Sequence, residues 1–444
     1  MITWWEARSF RTRLLIIGAL GLAVRITYIL TVKWDDKLWG DAYAYYWSGR
    51  LLAEGHGFIQ PLPWLVYKHV IQSPDRPPGY FAVLAFWSLI GLKSVLTQKL
   101  LSAIFIGTAS IFVTGRLGKE VGGPRVGLVA AAIAAFYPNF WLHDGMLMSE
   151  SQTILTVTGC LLLAYLYWKR PSWKLAVALG ALGGVAALTH PDSVLLVAII
   201  GLPLTLLARS EPWRRRVAHL ALLGAAGALV IAPWSIRNLT TFDKAVPLST
   251  GLDVTMAVTN CDETYHCYFK AFWYMPCILR ETPPKGDLSV QAAFYRKQAL
   301  DYMSDHKGEL PGIFVARVGR TWGFYRPIQQ TRLDIIEGHE IWVSRVALAW
   351  YYLLAPSAIV GFVLLRRRKV PIYPLIAPMV VVTNSAILTF GNTRYRAAAE
   401  ISLVIGASVA IVALAEHLAA RRRPPEEPAP VEDDGEAVLA DVGA

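Results

Sequence analysis

Charge is what this chain has least of. Of its 444 residues only 17% are charged, where soluble domains carry about 25%. That shortage excludes an ordinary water-exposed domain. Mean hydropathy is +0.40 and 55% of residues are hydrophobic. Apolar residues come in blocks of roughly 17 to 22, the length that crosses a bilayer core as a helix. Cysteine is scarce, at four. Zinc-ligand spacing is missing. The first apolar block, Leu14 to Val32, lacks the shortness and small-residue end of a cleaved signal. It is expected to stay as a first span. Internal repeats, which mark many transporters, are not evident.

What remains is an all-α polytopic membrane protein. Spans are expected at roughly 14–32, 99–115, 125–142, 151–168, 173–189, 193–208, 217–234, 344–365, 371–390 and 398–418. The net charge of +11 does not point to nucleic acid, because the basic residues sit in short loops between spans, where they set topology. Arg8, Arg11 and Arg13 place the N-terminus in the cytoplasm. Arg116, Lys119 and Arg125 mark a second inner loop, and Lys169, Arg170 and Lys174 a third. Arg209 with Arg214 to Arg216, then Arg366 to Lys369, mark two more, and Arg421 to Arg423 put the tail inside. Gly79 to Leu92, about fourteen residues, is too short for a comfortable crossing. It reads as a juxtamembrane or re-entrant helix; if it spans, the count is eleven. The 16 Trp and 19 Tyr suit interfacial belts.

The domain reading is one membrane-embedded unit, 1–418, with an outer loop at 33–98 and a large outer loop at 235–343. The acidic, Pro-rich segment 419–444 is expected to be a disordered cytoplasmic tail. In the large loop, Leu288 to His306 has helical spacing. LPGIFVARVGRTWGFYRP reads as a second, interfacial helix. Cys261, Cys267 and Cys277 share that loop; in an oxidising compartment they allow one disulfide and one spare thiol. A metal site from Asp262, Glu263 and His266 is the alternative. Cys160 reads as packing.

The unusual polar residues gather on the outer side. Asp41, in GDAYAYYWSGR, lies about nine residues past the first span. It is either a helix-capping acid or a base for an attacking hydroxyl. Asp35 and Asp36 read as a solvated span end. Arg76 opens RPPGY, where the prolines stiffen a helix entry; its guanidinium suits a lipid phosphate. Tyr80 closes that motif. His143, Asp144 and Glu150 stand at the outer mouth of a span, where charge is costly and often functional. Acids also favour helix N-termini. Arg394, Tyr395 and Arg396 precede the last span. Outward arginines run against the positive-inside bias, so an anionic partner or Glu400 must account for them. Arg237 after Pro233-Trp234 shows the same anomaly. Arg25, His190 and Asp192 are weaker candidates.

An outer-loop Asp with an aromatic run, Pro-Pro-Gly-Tyr, a Pro…Ser-Glu span entry, Pro-Trp…Arg-Asn and a late Arg-Tyr-Arg occur here in this order. The pattern resembles the C-type glycosyltransferase superfamily, in particular its protein O-mannosyltransferase and aminoarabinose-transferase-like branch, over most of residues 10–418. The resemblance implies a multi-pass enzyme of the inner (plasma) membrane. It would move a sugar from a polyprenyl-phosphate donor to a glycan, lipid or protein hydroxyl outside the cytoplasm, with inversion. Asp41 matches the first-loop base and Glu150 the second acidic position. Arg394 and Arg396, with Tyr395, Arg76 and Arg237, would hold the donor phosphate and lipid. Some relatives use a divalent cation near the first-loop acid and some do not. The rival readings are a flippase or transporter of lipid-linked sugar, and a non-catalytic assembly factor.

Overall fold

The structure, a computed structural model, describes residue 5 and residues 7–208 and 210–421. Of the expected tail, residues 419–421 belong to the last helix and residues 422–444, with Arg422 and Arg423, lie outside the described residues, as does Arg209. Among those described, helix is the regular structure throughout, save one isolated bridge between Ile59 and Gln72. Six helical stretches are long and apolar enough to cross a membrane: Phe10–Thr31, Val95–Gly122, Ser149–Lys169, Trp213–Thr241, Ile341–Arg367 and Thr393–Arg421. At 1.5 Å per residue the 22 residues of Phe10–Thr31 span about 33 Å. Its start is capped by the Ser9 hydroxyl, which accepts from the Thr12 N–H at 3.1 Å.

The other expected spans take different forms. The one at 125–142 is a bent pair, Pro124–Phe136 and Pro138–Met146, with 71° between its halves. Pro138 cannot continue the ladder of the first half. The three at 173–189, 193–208 and 371–390 are helices of 17, 14 and 16 residues. They reach about 26, 21 and 24 Å, short of a full hydrocarbon core. Gly79–Leu89 is a separate helix of 11 residues, as its length demanded. It packs on Gly40–Ala53 with Tyr45, Tyr46, Tyr80, Phe81 and Leu84 between them.

The largest core joins Phe10–Thr31, Val95–Gly122, Pro124–Phe136, Ser149–Lys169 and Thr393–Arg421 through Ile17, Ile111, Ala131, Val157, Leu161 and Val404. One end of the bundle is basic and salt-bridged. Glu120 accepts from Lys169 at 2.8 Å and Arg116 at 3.0 Å, and Arg125 reaches Glu416 at 3.0 Å. These residues come from loops assigned to one side by charge. The last helix runs from there to its opposite end, where Arg394 sits. The two ends are about 33 Å apart over the 22 residues from Arg394 to Glu416.

That opposite end carries two caps. The first is Gly40–Ala53, Pro61–Tyr67 and Gly79–Leu89. The second holds Gly251–Thr259, Asp262–Tyr265, Leu288–Asp305 and Leu310–Thr321. The helix expected over Leu288 to His306 is present as Leu288–Asp305. Leu310–Thr321 packs on Tyr373–Leu388 and buries Arg317 and Arg320. Cys261 and Cys277 form the disulfide; Cys267 is exposed and free, and Cys160 is buried.

Candidate active site

A cavity of about 780 Å³ opens between the two caps and the span ends. Its floor is polar, with Asp41, Asp75, Arg76, Glu337, Arg394, His190 and Asp192. Its walls include Leu195, Leu248, Leu252, Val258, Leu388 and Phe390. A polar floor beneath an apolar wall suits a charged headgroup with an apolar tail.

Asp41 lies in the first turn of Gly40–Ala53, where the helix dipole favours an anion. Both its oxygens are engaged. Oδ1 accepts from Arg76 Nη2 at 2.6 Å and Oδ2 from Arg394 Nη2 at 2.7 Å. Burial by itself would raise the Asp41 pKa. The two guanidiniums outweigh it and hold the carboxyl well below the usual carboxylate range.

Arg76 is placed by the chain around it. Its second nitrogen bonds Asp75, and its guanidinium lies 5.7 Å over the Tyr45 ring. Pro77 and Pro78 then lead into Gly79. A Cβ at Gly79 would stand 2.5 Å from the Leu188 carbonyl, so only glycine lets this loop seat on the turn at His190. Gln152 Nε2 donates to Gly79 O at 3.0 Å and completes the seat. The neighbouring carboxylates hold Arg76 charged, above even the usual arginine value, against the cost of burial.

Arg394 is the hub. It stands in the one-turn 3-10 helix Thr393–Arg396, and Asn392 Oδ1 accepts its backbone N–H at 2.9 Å. Besides Asp41 it meets Glu150, Nε to Oε1 at 2.7 Å, and Glu337 through Nη1. The contact to Glu150 is close without hydrogen-bond alignment, so it is chiefly coulombic. Glu150 is only 2% exposed. Glu337 is steadied by Trp273 Nε1 at 2.9 Å and Asn392 Nδ2 at 3.2 Å.

Four carboxylates (Asp41, Asp75, Glu150, Glu337) therefore surround two guanidiniums. The donor chemistry suits a hard divalent ion, but the arrangement does not. Arg394 stands between the carboxylates. Among the described residues no three metal-ligating side chains gather at this floor; the two groups that do gather both lie within residues 261–306.

Not all the expected residues meet here. Tyr395 lines the cavity, its ring 4.8 Å from Phe390 and 6.1 Å from His190. Arg396 does not line it. It is 1% exposed, bonds Glu400 at 2.6 Å and lies 3.6 Å over the Tyr351 ring. Glu400 is thus its internal partner, and its expected contact with a donor phosphate is corrected. Arg237 is also absent from the cavity. It donates to Ser73 O at 3.0 Å, Phe58 O at 3.2 Å and Gln72 Oε1 at 2.6 Å, clasping the loop within residues 58–73. Asp144 pairs with Arg25 at 2.9 Å, both fully buried. His143 packs edge-on to His339 in a small polar chamber behind Arg394. Tyr80 is fully buried, edge-on to Tyr45 at 5.3 Å. Asp36 is less solvated than expected, since it holds Lys99 and Lys33.

Two floor residues, and the buried Asn392 that supports Glu337 and Arg394, had no sequence signal. Glu337, in DIIEGHE, and Asp75 lie in loops with no motif of their own. Asn392 was one polar residue among several in GNTRYR.

Residues 75–236 match the family model described as dolichyl-phosphate-mannose-protein mannosyltransferase. No curated protein matches by sequence. Among solved structures, the oligosaccharyltransferase of Archaeoglobus fulgidus in its apo form aligns with a TM-score of 0.57 and 13% identity, over 94% of this chain and 52% of that one. The same protein with an inhibitory peptide and a dolichol-phosphate aligns with a TM-score of 0.57 and 15% identity, over 95% and 52%. The chain thus spans about half the length of that enzyme, and the likeness speaks for the fold. ArnT of Cupriavidus metallidurans bound to undecaprenyl phosphate aligns more loosely, with a TM-score of 0.41 at 15% identity over 93% of this chain and 81% of that one. The family-model match and the shared fold bear out the resemblance to the C-type glycosyltransferases.

Proposed function

We propose, for a chain that shares the fold of the C-type glycosyltransferases, that it is a membrane glycosyltransferase. It moves a sugar from a polyprenyl-phosphate donor to an acceptor hydroxyl on the extracytoplasmic side. The observation that carries this reading is the meeting of Asp41, Arg76 and Arg394 on the floor of one cavity with an apolar wall.

The donor phosphate sits against Arg76 and Arg394. A guanidinium has five N–H donors. Three of those on Arg394 face carboxylates, and two on Arg76 do. The rest are available to phosphate oxygens. The lipid tail follows the wall formed by Leu195, Leu252, Val258 and Leu388.

Asp41 removes a proton from the acceptor hydroxyl. The oxygen attacks the anomeric carbon, the carbon–oxygen bond to phosphate breaks with inversion, and the lipid phosphate leaves with the electron pair. The arginines stabilise its growing charge. The paired Asp41 of the free protein is a weak base, since an effective base has a pKa nearer the working pH. Donor binding changes that. The phosphate bound by the remaining guanidinium donors adds its own negative charge beside Asp41 and offsets the field of the two arginines. That raises the carboxyl's basicity, so the base strengthens when the donor is in place. Glu150 holds Arg394 from behind.

The test is transfer in proteoliposomes, with radiolabelled polyprenyl-phosphate sugars and a crude envelope acceptor fraction. Wild type is expected to move label, and Asp41→Asn to lose transfer by at least about 10²-fold while keeping its fold. Full activity in Asp41→Asn would sink the base assignment. Donor crossing the bilayer with no sugar transferred would replace the enzyme by a flippase.

A further inference from the structure

The large outer cap carries a second cluster, built from two elements. Asp262 and His266 are four residues apart, at the start and just past the end of the short helix Asp262–Tyr265. His306 follows the end of Leu288–Asp305. One ligand atom from each of the three lies within 4.8 Å of the other two. Donors around a tetrahedral zinc ion stand about 3.4 Å apart, a closure that rotation of the exposed Asp262 and His266 side chains toward His306 supplies.

The orientation of the imidazoles carries the argument. His306 Nδ1 is 2.8 Å from the Tyr302 carbonyl. A carbonyl only accepts, so Nδ1 bears the proton and Nε2 keeps a free lone pair. His266 Nδ1 faces the Glu309 carboxylate at 3.5 Å, which favours the same tautomer. Metal-ligating histidines are held in this way, one ring nitrogen donating to a carbonyl or carboxylate. The aromatic neighbours fix the His306 ring further. Tyr302 stacks on His306 at 4.0 Å and Tyr265 sits edge-on to it at 6.0 Å. The Tyr302 hydroxyl donates to Asp262 Oδ1 at 2.8 Å. The second acidic group expected here does not contribute: Glu263 is turned to Arg280 at 2.5 Å. The nearby Cys261 and Cys277 are joined to each other, so neither offers a thiolate.

The geometry points to a zinc-class divalent transition-metal site formed by Asp262, His266 and His306, with Glu309 as the group that orients His266. Two imidazoles and a carboxylate suit zinc and disfavour magnesium or calcium, which prefer oxygen alone. The ion would pin Asp262–Tyr265 to Leu288–Asp305. Val258 and Trp273, on either side of that pin in sequence, line the large cavity, so the metal would stiffen a wall of it.

The test uses full-length, tag-free protein in detergent, stripped with a chelator and dialysed against zinc, magnesium or calcium. Bound metal is read by mass spectrometry and affinity by calorimetry. Wild type is expected to hold one equivalent of zinc and neither of the other ions. His266→Ala/His306→Ala should hold none, and Glu309→Gln should bind zinc about 10- to 100-fold more weakly. A zinc-dependent rise in thermal midpoint should appear in wild type and vanish in the double variant. Should that variant misfold, Asp262→Asn carries the same comparison. Zinc absent from wild type, or equal in wild type and variants, overturns the site.

Discussion

Replacing Arg394 by methionine removes one cation from among three carboxylates. Asp41 keeps Arg76 as a partner. Glu337 keeps its bonds from Trp273 and Asn392. Glu150 keeps neither kind of support. Its side chain is 3% exposed, and neither of its oxygens has a hydrogen-bond donor among the described residues. Breaking a buried pair from one side costs about 3–5 kcal/mol, because a charge is left in low dielectric. Arg394→Met should therefore lose about that much, most of it through Glu150. Neutralising Glu150 in the same chain should return much of the loss. Arg394→Met/Glu150→Gln is expected to be about 2 kcal/mol more stable than Arg394→Met, within the 0.5–3 kcal/mol range for residues in contact. The assay is unfolding in mixed detergent micelles followed by tryptophan fluorescence, with all four members of the cycle. Additive losses, or an Arg394→Met protein as stable as wild type, would refute the hub.

Three further outcomes are expected. Burial, followed by the repulsion of Glu337, raises the Asp334 pKa to about 7 against hydrogen bonds from Gln330 and Thr393 that lower it. The folded state then holds a proton that the unfolded chain releases near pH 4, so this group's stabilisation, complete below pH 4, is lost as pH rises to 7. The fall is up to about 4 kcal/mol, and Asp334→Asn should flatten it in a thermal-midpoint titration; an unchanged slope would count against the assignment. A Cβ at Gly107 would stand 2.1 Å from Asp144 Oδ2 and 2.8 Å from Arg25 Nε. Gly107→Ala should split that buried pair and cost about 3–5 kcal/mol, and wild-type stability would show that the helix yields instead. Cys261→Ser/Cys277→Ser opens a loop of 16 residues and should cost about 3 kcal/mol, read by the same unfolding assay with and without reductant.

Much of the architecture was legible because it is local. A run of some twenty apolar residues has few alternatives to a spanning helix, since lipid offers its backbone no hydrogen bonds. Shortness set Gly79–Leu89 apart for the same reason. The bend at Pro138 and the three short helices were less legible. Their length is settled by what packs beside them, and hydropathy does not record it. Asp41, Arg76, Glu150 and Arg394 stood out as charges at span ends. Glu337 did not, because an acid in a polar loop is unremarkable until its partner is known.

The chain's sequence by itself determined an all-helical membrane bundle, its basic end, and an opposite end where acids and arginines gather. Only the tertiary structure decided which of them meet. Asp41 and Arg394 are 353 residues apart, and nothing local requires their contact. Arg394 and Arg396 are two residues apart and look equivalent in Arg-Tyr-Arg. At roughly 100–120° per residue they point to nearly opposite sides of the turn. One side meets Asp41 and the cavity, the other Glu400 and the core. The turn's rotation relative to its neighbours is set by the packing around it, and that rotation separates the arginine at the site from the one in the scaffold.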